Sequence, residues 1–295
     1  MTNRTKGIAS IIISAFGFAL MAMFVRLCDD FGNEISSFQK SFFRNIIAFS
    51  IAAIVFARQR QANHSSSQSL NPKTTLLLLA RCFAGCIGIF ANFYALSKIP
   101  IAEAMALNKT APFFTVLFSW ILLKESPKPR QLAAIFIAFA GVMLVMKPLF
   151  VVNDTFAFNC ALLGGLGAGI AYTCVRELGV QKVNPAFIVL FFSAFSSLAS
   201  IPFMFSRLDP MTPAQIFIML GAGAGAAIGQ FGVTTAYRFA PPRQVAVYDY
   251  TNLIFTAIMG FALFDQIPDW ISIAGFATII AAAIFANSKS AKQTT

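Results

Sequence analysis

Charge is what this sequence has least of. Asp, Glu, Lys and Arg make up 11% of its 295 residues, against about 25% in ordinary soluble domains. There is one histidine, His64, which excludes a multi-histidine metal centre. No H-E-x-x-H and no G-x-S-x-G occurs, so neither zinc-peptidase nor serine-hydrolase chemistry is indicated. The run Gly221-Ala-Gly-Ala-Gly lacks the Lys-Ser/Thr of a nucleotide loop. No ATP-driven step and no cofactor are therefore expected. The five cysteines form no framework. Cys82 and Cys86 stand one helical turn apart with no His or carboxylate near in sequence, and read as small packing residues. A Cys28–Cys160 bridge near one face is the weaker alternative to free thiols.

What is present is apolar. Hydrophobic residues make up 58% of the chain, 34 of them Phe, and the mean hydropathy is +0.74. A soluble fold of this size could not hide that surface, so the lipid bilayer must be its solvent. Ten stretches approach the roughly 20 residues needed to span the hydrocarbon: 7–25, 38–57, 74–96, 100–123, 131–149, 157–175, 186–205, 213–236, 242–264 and 268–286. Their apolarity is continuous rather than alternating, which argues against a β-barrel. Arg4 and Lys6 before the first run imitate a signal peptide. The run is longer than a signal core, however, and its repeat partner lies in mid-chain.

The net charge of +11 is explained by topology. With the N-terminus inside, 14 Lys and Arg fall in cytoplasmic segments: Arg4, Lys6, Arg58, Arg60, Lys73, Lys124, Lys128, Arg130, Arg176, Lys182, Arg238, Arg243, Lys289 and Lys292. Only four, Arg26, Lys98, Lys147 and Arg207, fall on the other side. This positive-inside bias places both termini in the cytoplasm. Basic loops at span ends offer no surface for a nucleic acid, so no such partner is expected. His64 falls in the polar linker between Arg58 and Lys73 and reads as a solvated residue.

The second half of the chain repeats the first. At an offset of 141, Pro100 falls on Pro241, Phe114 on Phe255, Thr115 on Thr256 and Pro127 on Pro268. At an offset of 150, Gly17 falls on Gly167, Val25-Arg26 on Val175-Arg176 and Phe42 on Phe192. The expected architecture is all-α and integral to the membrane, with ten transmembrane helices as two inverted five-helix repeats, residues 1–150 and 151–295. An odd number of spans forces the second copy to enter from the opposite face. Such repeats build secondary transporters whose sites lie near midplane between the halves.

The segment Ile99–Glu125, IPIAEAMALNKTAPFFTVLFSWILLKE, resembles the EamA-like part of the drug/metabolite transporter superfamily in its short turn, small-residue helix start, mid-helix proline and closing acidic residue. Its partner, Pro241–Gln266, keeps the layout with Leu253 in place of the proline and Asp265-Gln266 in place of Lys124-Glu125. The resemblance covers nearly the whole chain. It implies a ten-helix metabolite exporter or exchanger of a cell membrane, of the bacterial inner-membrane type, and implies no particular substrate.

Charges within spans mark candidate sites, because each costs roughly 2.5–3.5 kcal/mol at a helix centre. Lys109 lies about nine residues, or roughly 14 Å, into the fourth span. Asp249 lies at similar depth in the ninth, and at the repeat offset it matches Asn108. A Lys109–Asp249 pair at the repeat axis would either line the transport cavity or be an ion pair that fixes helix packing. Asn108, Thr110, Tyr248, Tyr250, Thr251 and Asn252 stand at the same level, either as handles for an organic solute or as bonds between helices. Glu103, nearer the outer face, reads as a proton or cation site or, in preference, as an interfacial residue in water. Arg44 is placed to pair with a carboxylate or a lipid headgroup, and Arg81 to snorkel inward. Gly221, Gly225, Gly229, Gly165 and Gly169 read as small-residue faces for close packing.

The expected activity is secondary transport of a small organic metabolite, such as an amino acid or derivative, by export or exchange. Protons are possible partners, with Asp249 and Glu103 as the coupling carboxylates. The alternatives are a lipid flippase or scramblase and an integral-membrane enzyme.

Overall fold

The computed structural model describes residues 2–33, 35–62, 71–96, 98–148, 154–206 and 208–287. His64, Arg207, Lys289, Lys292 and the junction at 150–151 lie outside the described residues. The described chain is helical throughout: α1 (Asn3–Asp30), α2 (Ser37–Ala62), α3 (Pro72–Leu96), α4 (Ile101–Asn108), α5 (Ala111–Leu123), α6 (Pro129–Met146), α7 (Thr155–Val180), α8 (Pro185–Ser206), α9 (Pro213–Phe239), α10 (Pro242–Val245), a 3₁₀ turn (Ala246–Tyr250), α11 (Thr251–Phe264) and α12 (Trp270–Asn287). They form ten candidate membrane spans by length and apolarity. Large apolar side chains such as Phe217, Ile267 and Trp270 face outward, as a lipid-facing surface requires.

Two expected spans are not continuous. The fourth is α4 plus α5, broken at Lys109–Thr110; the ninth is α10, the 3₁₀ turn and α11. Pro112, in the first turn of α5, has no N–H to return to residue 108, so the helix must restart there. The second half has no such proline and reaches the same break through the 3₁₀ turn. A threonine completes each break. Thr110 Oγ1 donates to Leu107 O at 2.5 Å, and Thr251 Oγ1 donates to Tyr248 O at 2.7 Å. Both pairs are related by the offset of 141. The two broken spans also end alike: Lys124 and Asp265 take left-handed φ values of 59° and 51° and return their N–H groups to Ser119 O and Gly260 O.

Packing follows the repeat. α1 lies along α9, and its counterpart α7 lies along α3, while α2 meets α8 and α6 meets α12 across the pseudo-two-fold axis. Glycine sets the first two crossings. A Cβ on Gly17 would stand 2.5 Å from Gly229 N, and one on Gly167 would stand 2.6 Å from Ala84 O. Backbones approach there as only small residues permit. Gly225 likewise meets Met21 N and Gly17 O, whereas Gly165 and Gly169 admit the broken fourth span. All five cysteines are free, so the Cys28–Cys160 bridge is not formed. Cys82 and Cys86 pack with Phe192 in an apolar cluster.

Candidate functional site

The fourth and ninth spans meet at their breaks. Tyr250 OH donates to Lys109 O at 3.1 Å across the two halves. Beside this crossing lies a cavity of about 340 Å³, lined from both halves by Arg44, Arg81, Asn92, Asn108, Lys109, Tyr172, Gln230, Asp249 and Asn252 among others. The breaks expose backbone at mid-depth, where irregular chain is tolerated only along a cavity or within protein. A larger depression of about 1050 Å³ sits at the helix ends on the N-terminal face. None of the mid-span charges lines it, whereas the smaller cavity is lined by Arg44, Arg81, Lys109 and Asp249.

Lys109 and Asp249 face this cavity together, but the direct ion pair is not formed. Lys109 Nζ donates to Asn252 Oδ1 at 2.9 Å, and Asn252 Nδ2 donates to Ala15 O at 3.0 Å. Asn252 is one helical turn beyond Asp249 and reaches the ammonium first, tying α1, the fourth span and the ninth span into one chain of contacts. The two tyrosines act between helices. Tyr250 is fully buried on Lys109 O, and Tyr248 OH donates to Ala283 O of α12 at 3.1 Å. Neither lines the cavity. Glu103 is 2% exposed, because α3, α6 and α7 cover α4. It is therefore no interfacial residue in water, and it lies outside the cavity lining.

Arg81 departs furthest from expectation. It does not snorkel: it is 3% exposed, stacks over the Phe192 ring at 3.7 Å and donates from Nη2 to Gln230 Oε1 at 3.0 Å. Arg44 contacts neither carboxylate nor solvent-side partner; its Nη1 lies 3.4 Å from Met21 Sδ and its Nη2 3.5 Å from Asn45 Oδ1. Arginines inside spans face the protein interior or a wet cavity by default, and that signal was available in the sequence for both. Gln230, set among small residues of α9, gave a fainter one.

Toward the N-terminal face the cavity ends on aromatic and charged layers. Tyr172 lines it, with its ring centroid 5.6 Å from that of buried Tyr237. One turn further, Arg176 donates to Glu125 Oε1 through Nη2 at 2.7 Å and Nε at 2.9 Å, and to Tyr237 O through Nη1 at 2.9 Å. Ser119 Oγ holds the other Glu125 oxygen at 2.7 Å. Toward the opposite face the lining continues through Asn92 and Phe93 to the exposed Met105.

A cavity with charged and amide side chains in its lining, between two five-helix halves with broken spans, is the construction of multi-pass membrane transporters. The chain belongs to the EamA-like transporter family, whose profile matches residues 5–147 and 155–288. Among similar proteins, the pseudopaline exporter CntI of Pseudomonas aeruginosa UCBPP-PA14 is 27% identical over 280 residues, covering 95% of each chain. The riboflavin transporter of Vibrio cholerae is 26% identical over 235 residues, covering 77% of this chain and 76% of its own. Human solute carrier family 35 member G1 is 23% identical, covering 93% of this chain and 77% of its own. A crystal structure that is 17% identical superposes with a TM-score of 0.76 over 93% of this chain and 96% of that one, which shows the fold.

Proposed function

We propose that the protein moves a small organic metabolite, an amino acid or a derivative of one, through the central cavity by alternating access, in export or exchange. The observation that carries this is one cavity, lined from both halves, where the two broken spans cross at mid-depth. Lys109, Asp249, Asn108 and Asn252 touch the solute in this reading. Tyr248 and Tyr250 hold the broken spans in place. Asp249, the one carboxylate of the lining, is the proton-coupling group if protons drive the cycle. The 14-to-4 distribution of Lys and Arg supports a cell-membrane protein of the bacterial inner-membrane type with both termini cytoplasmic.

The test is solute flux in liposomes, normalised to folded protein, across a pH series. Lys109→Met and Asp249→Asn should each abolish or strongly reduce flux. Full flux from both, with an unchanged pH profile, would refute the site. For orientation, a cysteine-free variant carrying a single cysteine at position 30 should react with an impermeant thiol reagent in intact cells, and one at position 64 should not.

A further inference from the structure

The cavity holds more cations than its own carboxylate can balance. Arg44, Arg81 and Lys109 line it, against Asp249 alone, which leaves a double positive charge. None of the three binds a carboxylate. Lys109 and Arg81 donate to the side-chain amides of Asn252 and Gln230, and Arg44 reaches only Met21 Sδ and Asn45 Oδ1. The ion pairs among the described residues are Lys40–Asp29, Lys73–Glu177, Lys147–Asp269 and Arg176–Glu125, none of them in this cavity. The buried Nε atoms of both Arg44 and Arg81 have no acceptor among the described residues, and neither does Asn92 Oδ1 a donor.

Buried charge without a counter-ion is costly. The same fold shows the ordinary remedy a few turns away, where Arg176 takes Glu125. The cavity arginines lack that remedy and keep unused donors. Guanidinium donors match carboxylate and phosphate oxygens two at a time, and Phe192 fixes the plane of Arg81. We propose that this cavity binds a small organic anion, whose carboxylate or phosphate oxygens engage Arg44, Arg81 and Lys109, with Asn92 and Asp249 left to accept from any N–H or O–H the solute carries. The assignment rests on the reading of the cavity as the solute's site and narrows it to an anionic class.

The experiment uses the purified full chain. Thermal protection in detergent and counterflow in liposomes are measured with succinate, glutamate, glycerol phosphate, leucine and lysine as probes. Succinate, glutamate or glycerol phosphate should protect and exchange, and leucine and lysine should do neither. Preference between succinate and glycerol phosphate tells carboxylate from phosphate. Arg44→Gln, Arg81→Gln and Lys109→Gln should each weaken the preferred anion by about tenfold or more. Arg81→Lys should fall between wild type and Arg81→Gln. Should Arg81→Gln not fold, Arg44→Gln and Arg81→Lys decide the matter. Preference for leucine or lysine overturns the anionic class while leaving the cavity as the transport site, provided Lys109→Met still blocks their flux. No response to any anionic probe, in protein that remains folded, overturns the proposal. Anion flux indifferent to all these variants sinks the proposal together with the cavity reading on which it rests.

Discussion

The loops that close the fourth and ninth spans have one backbone and two chemistries. Lys124-Glu125 and Asp265-Gln266 are related by the repeat offset, and both begin on a left-handed residue that returns its N–H five residues back. At the N-terminal face, Glu125 takes Arg176, which also donates to Tyr237 O beneath the cavity. At the opposite face, Gln266 stands where Glu125 would be, and Arg26, the counterpart of Arg176, lies exposed over the Phe264 ring at 4.5 Å. One carboxylate therefore separates a clasped end from an unclasped one. The cavity lining extends toward the unclasped side. An inverted repeat makes two ends with equivalent backbones, and single side chains then decide which is clasped.

The sharpest way to break this comparison is to unlatch the clasped end. The Arg176 and Glu125 side chains are 14% and 17% exposed, so losing one partner strands a mostly desolvated charge at a cost of about 3 kcal/mol. Glu125→Gln should raise accessibility of a cysteine placed at Tyr172 from the N-terminal face by up to roughly 100-fold, read as a thiol-labelling rate. An unchanged rate would mean that the pair does not hold that end.

The next effect tests the packing beneath both ends. Gly17→Ala and Gly167→Ala each push a Cβ into backbone and should destabilise by about 1–3 kcal/mol, with similar losses in melting temperature. Markedly unequal losses would show that the two crossings are not equivalent in load.

A smaller effect is expected from installing the missing carboxylate. Gln266→Glu should let Arg26 form a pair, but Arg26 is exposed, so the gain should be under about 1 kcal/mol and should fade with salt. Labelling of a cysteine placed at Asn92 from the opposite face should slow only slightly. A large slowing would mean that this end closes as tightly as the other.

The smallest effect concerns pH on the unclasped side, where Lys147 pairs with Asp269. The hydrogen bond from Lys147, helped by the Ser272 N–H, lowers the Asp269 carboxyl from 3.8 to about 2. A depressed pKa contributes stability that is complete above the unfolded value and lost as pH falls through about 2. Melting temperatures of wild type and Asp269→Asn should therefore run parallel from pH 7 to roughly pH 5 and converge below pH 4. Divergence on acidification would contradict the pair.

The sequence carried the membrane class, the ten spans and the repeat, because apolar run length and charge asymmetry answer to the bilayer alone. It also carried the depth of Lys109 and Asp249, since a helix converts residue count into distance. It did not carry their partners. Asn252 stands ahead of Asp249 on the face that meets Lys109, and which side chain arrives first depends on helix rotation and on breaks a few residues long. The proline signalled one break. The other, with leucine at the matching position, is legible only through Thr110 and Thr251, whose hydroxyls look like site residues until seen folded back on their own carbonyls.

The same division separates the arginines. Sequence alone placed Arg44 and Arg81 within spans, Arg44 to meet a carboxylate or a lipid headgroup and Arg81 to snorkel inward. Arg81 faces the cavity because Phe192 and Gln230, from the other half, close around its guanidinium. That choice belongs to tertiary structure. A long flexible side chain goes where packing leaves room and where polar atoms from distant segments converge, and no local pattern encodes that convergence. Composition and periodicity thus determined the solvent, the helices and the repeat. Contacts between the halves decided which charges share a cavity, which tyrosines serve as struts and which of two equivalent ends is clasped.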